Sequence, residues 1–423
     1  MARMSQGEHA RLLRIEDRKE PVEEITEEKL ERRRARANIP FYPRGIYFNT
    51  QASKDGIRHF VNGIGDLNPL FQDEAYARKT RYGSIIAPGA YLYTIRWTLL
   101  GGGITGAHGW YSGGDWEWYR PVFAGDEFKT VGIIRDLVEK KGRMTGGGSM
   151  FIDYSDVIHI NQRGEIVGKE HIHNVRAGRG AAGAAGKERK LEKPTYTRED
   201  WGKILDAYDD EELRGADPRW WEDVKVGDEL KPMIKGPLTV RDEISWLMGA
   251  GSPFMLAHKI QMLWEARHPR GLEYVPETGE RDVPELVHIF DEFAQAIGVE
   301  RAYDYGNQRM SWLCQYFTNW MGDDGFLWKM SGDLRAFNQM GDITTYNGKV
   351  VDKYVRDGKY CVDIEAWADN QRGAISMRPQ VSTVILPSKE SGPVIYPNPT
   401  PTLAKEISEA RPLNDLIKEG KLA

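Results

Sequence analysis

The sequence has few cysteines, no long apolar run and little excess charge, and each shortage excludes a class of protein. Two cysteines, Cys314 and Cys361, among 423 residues cannot build a disulfide framework or a cysteine-rich metal site. No apolar run is long enough for a spanning helix, and a formal net charge of −5 gives no positive field to attract nucleic acid or an anionic membrane. Residues 1–40 contain no apolar segment typical of secretory signals. We therefore expect a cytoplasmic protein without a nucleic-acid or membrane partner.

Aromatic residues are plentiful, and composition changes along the chain divide it into segments. The 13 Trp and 19 Tyr can line a large core or a roomy ligand site. A Gly/Ala-rich and then charged stretch, AGRGAAGAAGKERKLEKP, has no hydrophobic period and predicts a linker. The predicted segments are a charged arm (1–45), an N-terminal unit (46–176), a linker (177–219), a C-terminal unit (220–390) and a tail (391–423). The basic run 31–36 of the arm is predicted to be a solvated helix face or an arm that meets a phosphate or a partner subunit, and the Pro-rich start of the tail is predicted to lie extended over the surface.

The two units repeat one another. The tetrapeptide Asn-Gln-Arg-Gly occurs at 161–164 and again at 370–373, an offset of 209 residues. Gly89 and Gly306, each at the start of a helix-like stretch, are 217 residues apart. Near the start of each unit the offset is only 187, so about 30 residues have entered the second unit. The segment 258–282 is the candidate insertion.

Each unit has the same predicted order of elements. A short helix comes first, a longer helix follows Gly89 or Gly306, and strands with alternating polarity then follow, separated by Gly-containing turns. A buried helix followed by a meandering antiparallel sheet is an α+β pattern.

One segment of the first unit carries a family resemblance. It reads Gly-Asp-Leu-Asn-Pro-Leu-Phe-Gln-Asp at 65–73 and Ile-Ala-Pro-Gly at 86–89. This resembles the signature of MaoC-like hot dog proteins, the family of (R)-specific enoyl-CoA hydratases and 3-hydroxyacyl dehydratases, whose motif is approximately G-D-x-N-P-[IL]-H-x-D. The resemblance implies a tandem, or double, hot dog, in which each antiparallel sheet wraps around a long central helix.

The resemblance also implies site residues. Asp66 stands at the position of the catalytic carboxylate, and Asn68 and the backbone N–H at Gly89 would bind the substrate thioester. Such a group of a base, an acid and helix N-terminal donors suits the addition of water to an enoyl thioester. The family's histidine position, however, holds Phe71, which cannot transfer a proton.

The second unit offers the missing histidine. The run from Pro284 to Asp291 contains Pro, His and Asp in the family's order at a longer spacing, so His288 is predicted to complete a catalytic pair with Asp66. His258 is the alternative and is otherwise assigned to substrate binding together with Gly306. His288 could also be a structural histidine at a helix end.

These features predict a lyase of the hydratase/dehydratase class. The substrate is expected to be a bulky acyl-CoA, with coenzyme A as part of the substrate, no separate cofactor and no metal. The alternative is a catalytically silent acyl-CoA-binding subunit that partners an active chain. A thioesterase is disfavoured because it would need a carboxylate or a Ser in the central helix, and residues 90–100 contain neither and offer only Thr94 and Thr98 in their place. The chain is expected to form a homodimer or a hetero-oligomer with a related hot dog chain.

Overall fold

The computed structural model describes residues 5–7, 25–43, 48–96, 104, 107–141, 149–178, 191–267, 273–275 and 280–422. None of the helices in these ranges has the length and apolar character needed to span a bilayer.

After residue 7, the described ranges contain ten α-helices of at least four residues. They are α1 (Glu27–Arg34), α2 (Lys54–Ile64), α3 (Glu74–Ala77), α4 (Arg198–Asp209), α5 (Val240–Ala250), α6 (His258–Arg267), α7 (Asp291–Ala296), α8 (Gly306–Met321), α9 (Pro401–Ser408) and α10 (Leu413–Lys418). Short 3₁₀ helices cover Pro69–Phe71, Gly89–Thr94, Trp221–Asp223 and Pro284–His288.

The strands belong to one large sheet and two small ones. They are β1 (Phe41–Tyr42), β2 (Ile86–Ala87), β3 (Ala107–Trp118), β4 (Val122–Phe123), β5 (Phe128–Lys141), β6 (Ser149–Asn161), β7 (Ile166–Gly178), β8 (Glu229–Lys235), β9 (Glu273–Val275), β10 (Glu280–Asp282), β11 (Phe326–Leu334), β12 (Thr344–Arg356), β13 (Lys359–Asn370), β14 (Ile375–Ile385) and β15 (Arg411–Pro412).

The two units share one continuous sheet. Its eleven strands run in the order β15-β1-β5-β6-β7-β3-β11-β14-β13-β12-β8. The junction is an antiparallel pair between β3 of the first unit and β11 of the second, with Met330 opposite Trp116. The α+β class and the tandem arrangement predicted from the sequence are confirmed.

The internal repeat is visible in matching hydrogen bonds. Asp126 accepts from Arg163 Nη1 at 2.8 Å and from Gln162 Nε2 at 3.2 Å. In the second unit, Asp342 accepts from Arg372 Nη2 at 2.5 Å and from Gln371 Nε2 at 3.1 Å. The repeated Asn-Gln-Arg-Gly turns therefore donate hydrogen bonds to the Asp of the repeated Gly-Asp turns. These bonds give both motifs a structural role.

The helices that position the site lie against the sheet. All residues of α8 after Gly306 are buried, as expected for a core helix covered on every side. The first helices of the two units, α2 and α5, pack together where Gly63 faces the backbone of Ser245 and Gly249 faces the backbone of His59. In the first unit the element after Pro88 is the 3₁₀ helix Gly89–Thr94, and residues 97–103 lie outside the described residues. Among the described residues, the predicted long central helix is therefore present in the second unit only.

The terminal segments pack on the sheet. The basic run near residue 33 was predicted to be a solvated helix face or an arm for a phosphate or a partner. In the structure, Arg33 of this run is buried, and its Nη2 lies 3.0 Å from Asp153 Oδ1. The tail was expected to be extended, yet it also forms α9 and α10, whose Leu403 and Leu416 cover the outer face of the first unit's sheet.

The segments between and within the units have structure of their own. The linker range 177–219 contains α4, which begins at a capping box between Thr197 and Asp200. The candidate insertion 258–282 contains α6 and the β9–β10 pair.

Candidate active site

The first unit has a cavity of about 570 Å³, including space open to solvent. Its walls are mainly apolar and come from both units, with Phe71 and Gly89 from the first and Cys314 and Phe326 from the second. Phe71, which replaces the family's histidine, is buried in this wall. No histidine of the described residues lines the cavity, so an acid–base pair of the family type cannot form there.

Asp66 lies next to this cavity, immediately after the left-handed Gly65 that ends α2. Its Oδ1 accepts from the backbone N–H of Asn68 at 2.9 Å, and the side chain is buried. Burial raises the pKa of the Asp66 carboxyl to about 6. Its Oδ2 has no hydrogen-bond partner among the described residues. The carboxyl is therefore able to exchange a proton near neutral pH, but it has no partner imidazole.

Asn68 binds a carboxylate of the second unit. Its Nδ2 donates to Asp323 Oδ1 at 3.0 Å, and the Tyr76 hydroxyl donates to Asp323 Oδ2 at 2.6 Å. Because the Asn68 amide binds Asp323 in this way, Asn68 acts in this structure as a contact between the two units.

The backbone donors at Gly89 face a thiol. Cys314 of α8 lies where the N–H groups of Gly89 and Ala90 interact with its sulfur, and burial raises the pKa of this thiol to about 12. The position predicted to receive a thioester carbonyl is thus filled by a neutral side chain.

A second group of ionisable residues lies at the N-terminal end of α8. Glu285 and His288 are three residues apart in the 3₁₀ helix Pro284–His288, and residues at that spacing lie on one face of such a helix. Ser252 donates its hydroxyl to Glu285 Oε2. Burial raises the pKa of Glu285 to about 7, so this carboxyl is partly protonated at neutral pH.

His288 is held by the residues just before α8. Its Nδ1 lies 2.8 Å from the carbonyl oxygen of Tyr303, and its ring stacks on Tyr305 with centroids 3.7 Å apart. Burial lowers the pKa of His288 to about 3, so the ring is neutral. Since a carbonyl can only accept, Nδ1 carries the proton and Nε2 is the nitrogen with a lone pair.

The two groups occupy corresponding places in the repeat. Asp66 and Ser252 each follow the first helix of their unit by two residues, and each accepts from the backbone N–H two residues later. Phe71 and His288 are each the last residue of the 3₁₀ helix that follows. The second unit therefore has the histidine that the first lacks, and Glu285, bonded to Ser252, brings a carboxyl to the place of Asp66.

The N-terminal end of α8 lies beside this pair. The first residues of α8 have no intrahelical acceptor for their N–H groups, and the helix dipole favours negative charge at this point. A side chain at position 306 would lie 2.6 Å from the Tyr111 ring, so the close approach requires Gly306. Asp304, the residue before the N-cap Tyr305, is held in place by its ion pair with the buried Arg309.

Asp66 and His288 do not form the pair predicted from the sequence. Gln315 of α8 donates to the carbonyl of Gly65, whereas His288 stacks on Tyr305, ten residues earlier. At 1.5 Å per helical residue these contacts are roughly 15 Å apart, too far for one water to touch both side chains.

The other predicted residues have different positions. His258 is exposed at the start of α6, and no contact links it to either group. Asp291 accepts from the backbone N–H of Ala302 at 2.8 Å and so holds a loop. Apart from the predicted residues, two further histidines alternate along β7, and each contacts its own carboxylate: His171 contacts Asp156 and His173 contacts Asp115. No group of three or more His, Cys, Asp or Glu in the described ranges could hold a metal ion.

Sequence reasoning missed Glu285. Glu285 follows Pro284 in the run from Pro284 to Asp291 that supplied His288, but the family motif has no acid at that position. The signal lay in the spacing, since Glu285 precedes His288 by three residues in a short helical turn.

Comparison with known proteins relates the first unit to dehydratases. Residues 48–170 match the family model of the FAS1-like dehydratase domain region. A curated relative, the "Probable enoyl-CoA hydratase alpha subunit" of Thermomonospora curvata, is 26% identical over 141 residues, which are 28% of this chain and 43% of that protein. The match thus spans less than half of that relative.

Comparison with solved structures covers both units. A structure titled MaoC-like dehydratase is 17% identical, with a TM-score of 0.58 over 83% of this chain and 98% of the other. A MaoC domain protein dehydratase from Chloroflexus aurantiacus is 13% identical, with a TM-score of 0.50 over 84% and 96% of the two chains. At these identities the likeness establishes the fold. Together with the repeated architecture, it shows that this chain has a tandem hot dog fold similar to that of the MaoC-like dehydratase structures.

Proposed function

We propose that this protein adds water to, or removes it from, the carbon–carbon double bond of an enoyl thioester, and that the second unit carries the chemistry. The observation that supports this proposal is the placement of Glu285 and His288 on one face of a 3₁₀ helix beside the N-terminal end of α8. A carboxyl, an imidazole and the N–H groups of a helix N-terminus are the three components that the reaction needs.

Each group has a separate role. In the direction of hydration, the Glu285 carboxylate accepts a proton from water while the water oxygen adds to the β-carbon. The protonated Glu285 then delivers that proton to the α-carbon, so one water is added in total. His288 Nε2 accepts a hydrogen bond from the same water and orients it. The first N–H groups of α8 stabilise the negative charge that develops on the thioester oxygen.

The printed name of the curated relative and the titles of the solved structures support the same reaction class. Coenzyme A as the thioester carrier, a bulky acyl group and a cytoplasmic location are part of the proposal. The insertion containing α6 lies directly after Ser252 in the chain, which is why a larger acyl group than crotonyl is favoured.

The test is a hydration assay of the purified chain with crotonyl-CoA and with bulkier enoyl-CoA thioesters. Glu285→Gln and His288→Asn should each lower kcat by about 10²–10⁴-fold, the usual contribution of general acid–base catalysis. The double variant should be little worse than either single variant, because the two groups act as a unit.

Asp66→Asn is the matched control in the first unit. If the second unit carries the reaction, this variant should stay within about threefold of the parent. A large loss for Asp66→Asn with active Glu285→Gln and His288→Asn enzymes would instead assign catalysis to the first unit. No turnover of any enoyl-CoA by the parent chain would favour the alternative, a silent acyl-CoA-binding subunit that needs an active partner.

A further inference from the structure

One strand of the first unit reaches the proposed site of the second. Residues 108–111, called here the β3 entry segment, lie near the start of β3. Trp110 of this segment belongs to the same buried apolar cluster as Val287, the residue before His288. Burial lowers the pKa of His288 to about 3, and His108 adds to this lowering, so the two imidazoles lie near each other. The first unit therefore forms part of the wall around the proposed catalytic pair.

Tyr111, the last residue of the β3 entry segment, packs directly on the first residue of α8. A Cβ atom on Gly306 would lie 2.6 Å from Tyr111 Cδ1 and 3.1 Å from the Tyr111 carbonyl oxygen. The proposed function uses the N–H groups of this first helical turn to stabilise negative charge on the thioester oxygen. The position of the Tyr111 ring thus limits where these donors can lie.

The hydroxyl of Tyr111 is held by hydrogen bonds within the first unit. It donates to Glu170 Oε1 at 2.6 Å and lies 3.0 Å from the Tyr93 hydroxyl, which donates to the same carboxyl oxygen at 2.9 Å. Trp116 Nε1 in turn donates to the Tyr93 hydroxyl at 2.8 Å. These bonds connect Tyr111 to β7 and to the 3₁₀ helix Gly89–Thr94, so the ring cannot shift without breaking them.

The matching place in the first unit is built differently. A Cβ atom on Gly89 would lie 2.6 Å from Cε2 of Trp118, which belongs to the same unit. At Gly306 the neighbours are Leu334 of its own unit, at 3.0 Å, and Tyr111 of the other unit. Leu334 has no polar group that could anchor it, whereas Tyr111 is anchored by hydrogen bonds. The start of α8 is thus supported across the boundary between the units, in the unit that has the proposed catalytic pair.

We propose that Tyr111 is a positioning residue for the hydration reaction, and that the first unit holds the N–H donors at the start of α8 through Tyr111 and Glu170. This inference rests on the function proposed for the second unit. Since the Tyr111 hydroxyl is bonded within the first unit, Tyr111 acts through the backbone at Gly306 and not on the substrate. A displacement of about 1 Å in such a site can lower the rate about 10²-fold. Because the charge on the thioester oxygen develops only in the transition state, the loss should fall on kcat more than on KM.

The experiment is steady-state hydration of an enoyl-CoA thioester by the full chain, with kcat and KM measured separately. Tyr111→Leu removes the aromatic ring and should lower kcat about 10²-fold, with KM within about threefold of the parent. Tyr111→Phe keeps the ring but loses the bond to Glu170, so it should lower kcat only several-fold. A folded Tyr111→Leu protein with parent-like kcat, or with a raised KM and an unchanged kcat, would overturn the positioning role.

Variants of Glu170 test whether the hydrogen bonds act through Tyr111. Glu170→Gln keeps an acceptor oxygen for the two phenols and should retain the parent kcat at pH 7. Glu170→Leu removes the acceptor and should match Tyr111→Phe. The double variant Tyr111→Phe with Glu170→Leu should be no slower than either single variant, because both changes break the same connection. Additive losses in the double variant would contradict the connection.

Tyr119→Phe is the matched control for the tyrosine variants. Tyr119 is a buried tyrosine of the first unit, but it packs with Leu403 on the outer face of the sheet. This variant should keep the parent kcat and KM even if its melting temperature falls. Melting curves of all variants verify folding, so that kcat refers to folded molecules. A loss of kcat in Tyr119→Phe equal to that in Tyr111→Phe would show a general effect of destabilising the first unit and would overturn the proposal.

Glu285→Gln separates the failure of this inference from the failure of the proposed function. Loss of turnover in Glu285→Gln together with parent-like kcat in Tyr111→Leu would overturn the inference and leave the function standing. Parent-like turnover in Glu285→Gln, or no turnover by the parent chain, would overturn the function of the second unit and this inference with it.

Discussion

The buried Glu285 carboxyl has a pKa of about 7, because burial opposes its ionisation and only Ser252 offsets this by a hydrogen bond. A base must be deprotonated to act, so we expect kcat for hydration to rise tenfold per pH unit below pH 7 and to level off above it. Initial rates between pH 5 and 9 check this expectation.

His288 should not contribute a second inflection in that range, since burial lowers its pKa to about 3. In Glu285→Gln the residual rate should be independent of pH across the same interval. An inflection near pH 7 that persists in Glu285→Gln would show that another group, with Asp66 as the first candidate, controls the rate.

Glu170 allows a prediction about stability. It is buried in the first unit, accepts from the hydroxyls of Tyr93 and Tyr111 at 2.9 and 2.6 Å, and burial raises its pKa to about 8. The unfolded chain ionises this carboxyl from about pH 4.5. Its contribution to stability is therefore complete at low pH and is lost as the pH rises through 8. Glu170→Gln should be close to the parent at pH 5 and more stable by ~2 kcal/mol at pH 9.

Glu165→Gln is the matched control for this measurement. The Asn161 amide and the Arg163 guanidinium lower the pKa of Glu165, so its contribution is present at neutral pH and is lost on acidification. Urea unfolding at pH 5 and pH 9 should thus give a stability difference from the parent that changes with pH for Glu170→Gln and stays nearly constant for Glu165→Gln, whose effect changes only below about pH 4.5. An equal change between pH 5 and pH 9 in both variants would contradict the assignment of a raised pKa to Glu170.

Only part of the candidate site could be predicted from the sequence. The loss of histidine at Phe71 and the importance of His288 could be deduced from the motif and the repeat. The separation of Asp66 from His288 could not be deduced, because both lie near α8 but at different turns of it. Glu285 was missed because its carboxyl reaches the place of Asp66 from a different backbone position, through its bond to Ser252.

At the scale of elements, the contact between α2 and α5 depends on glycine. A Cβ atom at position 249 would lie 2.5 Å from the carbonyl oxygen of His59, which is backbone and cannot turn aside. Gly249→Ala should therefore destabilise the protein by about 1–3 kcal/mol or more, as overpacked cores do. Chemical denaturation measures this change.

Gly202→Ala in α4 provides the control for that substitution. No atom lies within 4 Å of a Cβ at this position, and alanine is the better helix former. This variant should be more stable than the parent by ~0.5–1 kcal/mol. If Gly249→Ala left the free energy of unfolding unchanged, the two helices would be able to move apart without a loss of stability.

The elements were predictable where local pattern determines them. Alternating polarity and Gly-containing turns identified the main strands, and a charged or Gly/Ala-rich composition marked the peripheral segments. The buried position of α1 was not predictable, because its sequence is dominated by charge and only the Asp153 side chain on β6 explains why Arg33 is buried. The helices of the tail were missed because its Pro-rich beginning suggested an extended chain.

For the whole molecule, dimerisation stays a prediction. The expected homodimer or hetero-oligomer should appear in sedimentation velocity as a species of twice 48.2 kDa, or as a complex with a related hot dog chain. A single monomeric species at micromolar concentration would contradict the homodimer. The tandem arrangement itself could be predicted, because an ordered series of repeated motifs requires two similar units.

The path of the tail has a consequence for how the protein is made. Residues 401–418 return from the second unit to cover the first, where Leu403 packs on Val131 and Ile133, and β15 pairs with β1 at the sheet edge. During synthesis the first unit leaves the ribosome about 220 residues before the tail segment that covers it, counting from Gly178 to Pro401. An apolar patch of its sheet is thus exposed to solvent while the second unit is being translated, which makes this nascent intermediate a natural client for a chaperone.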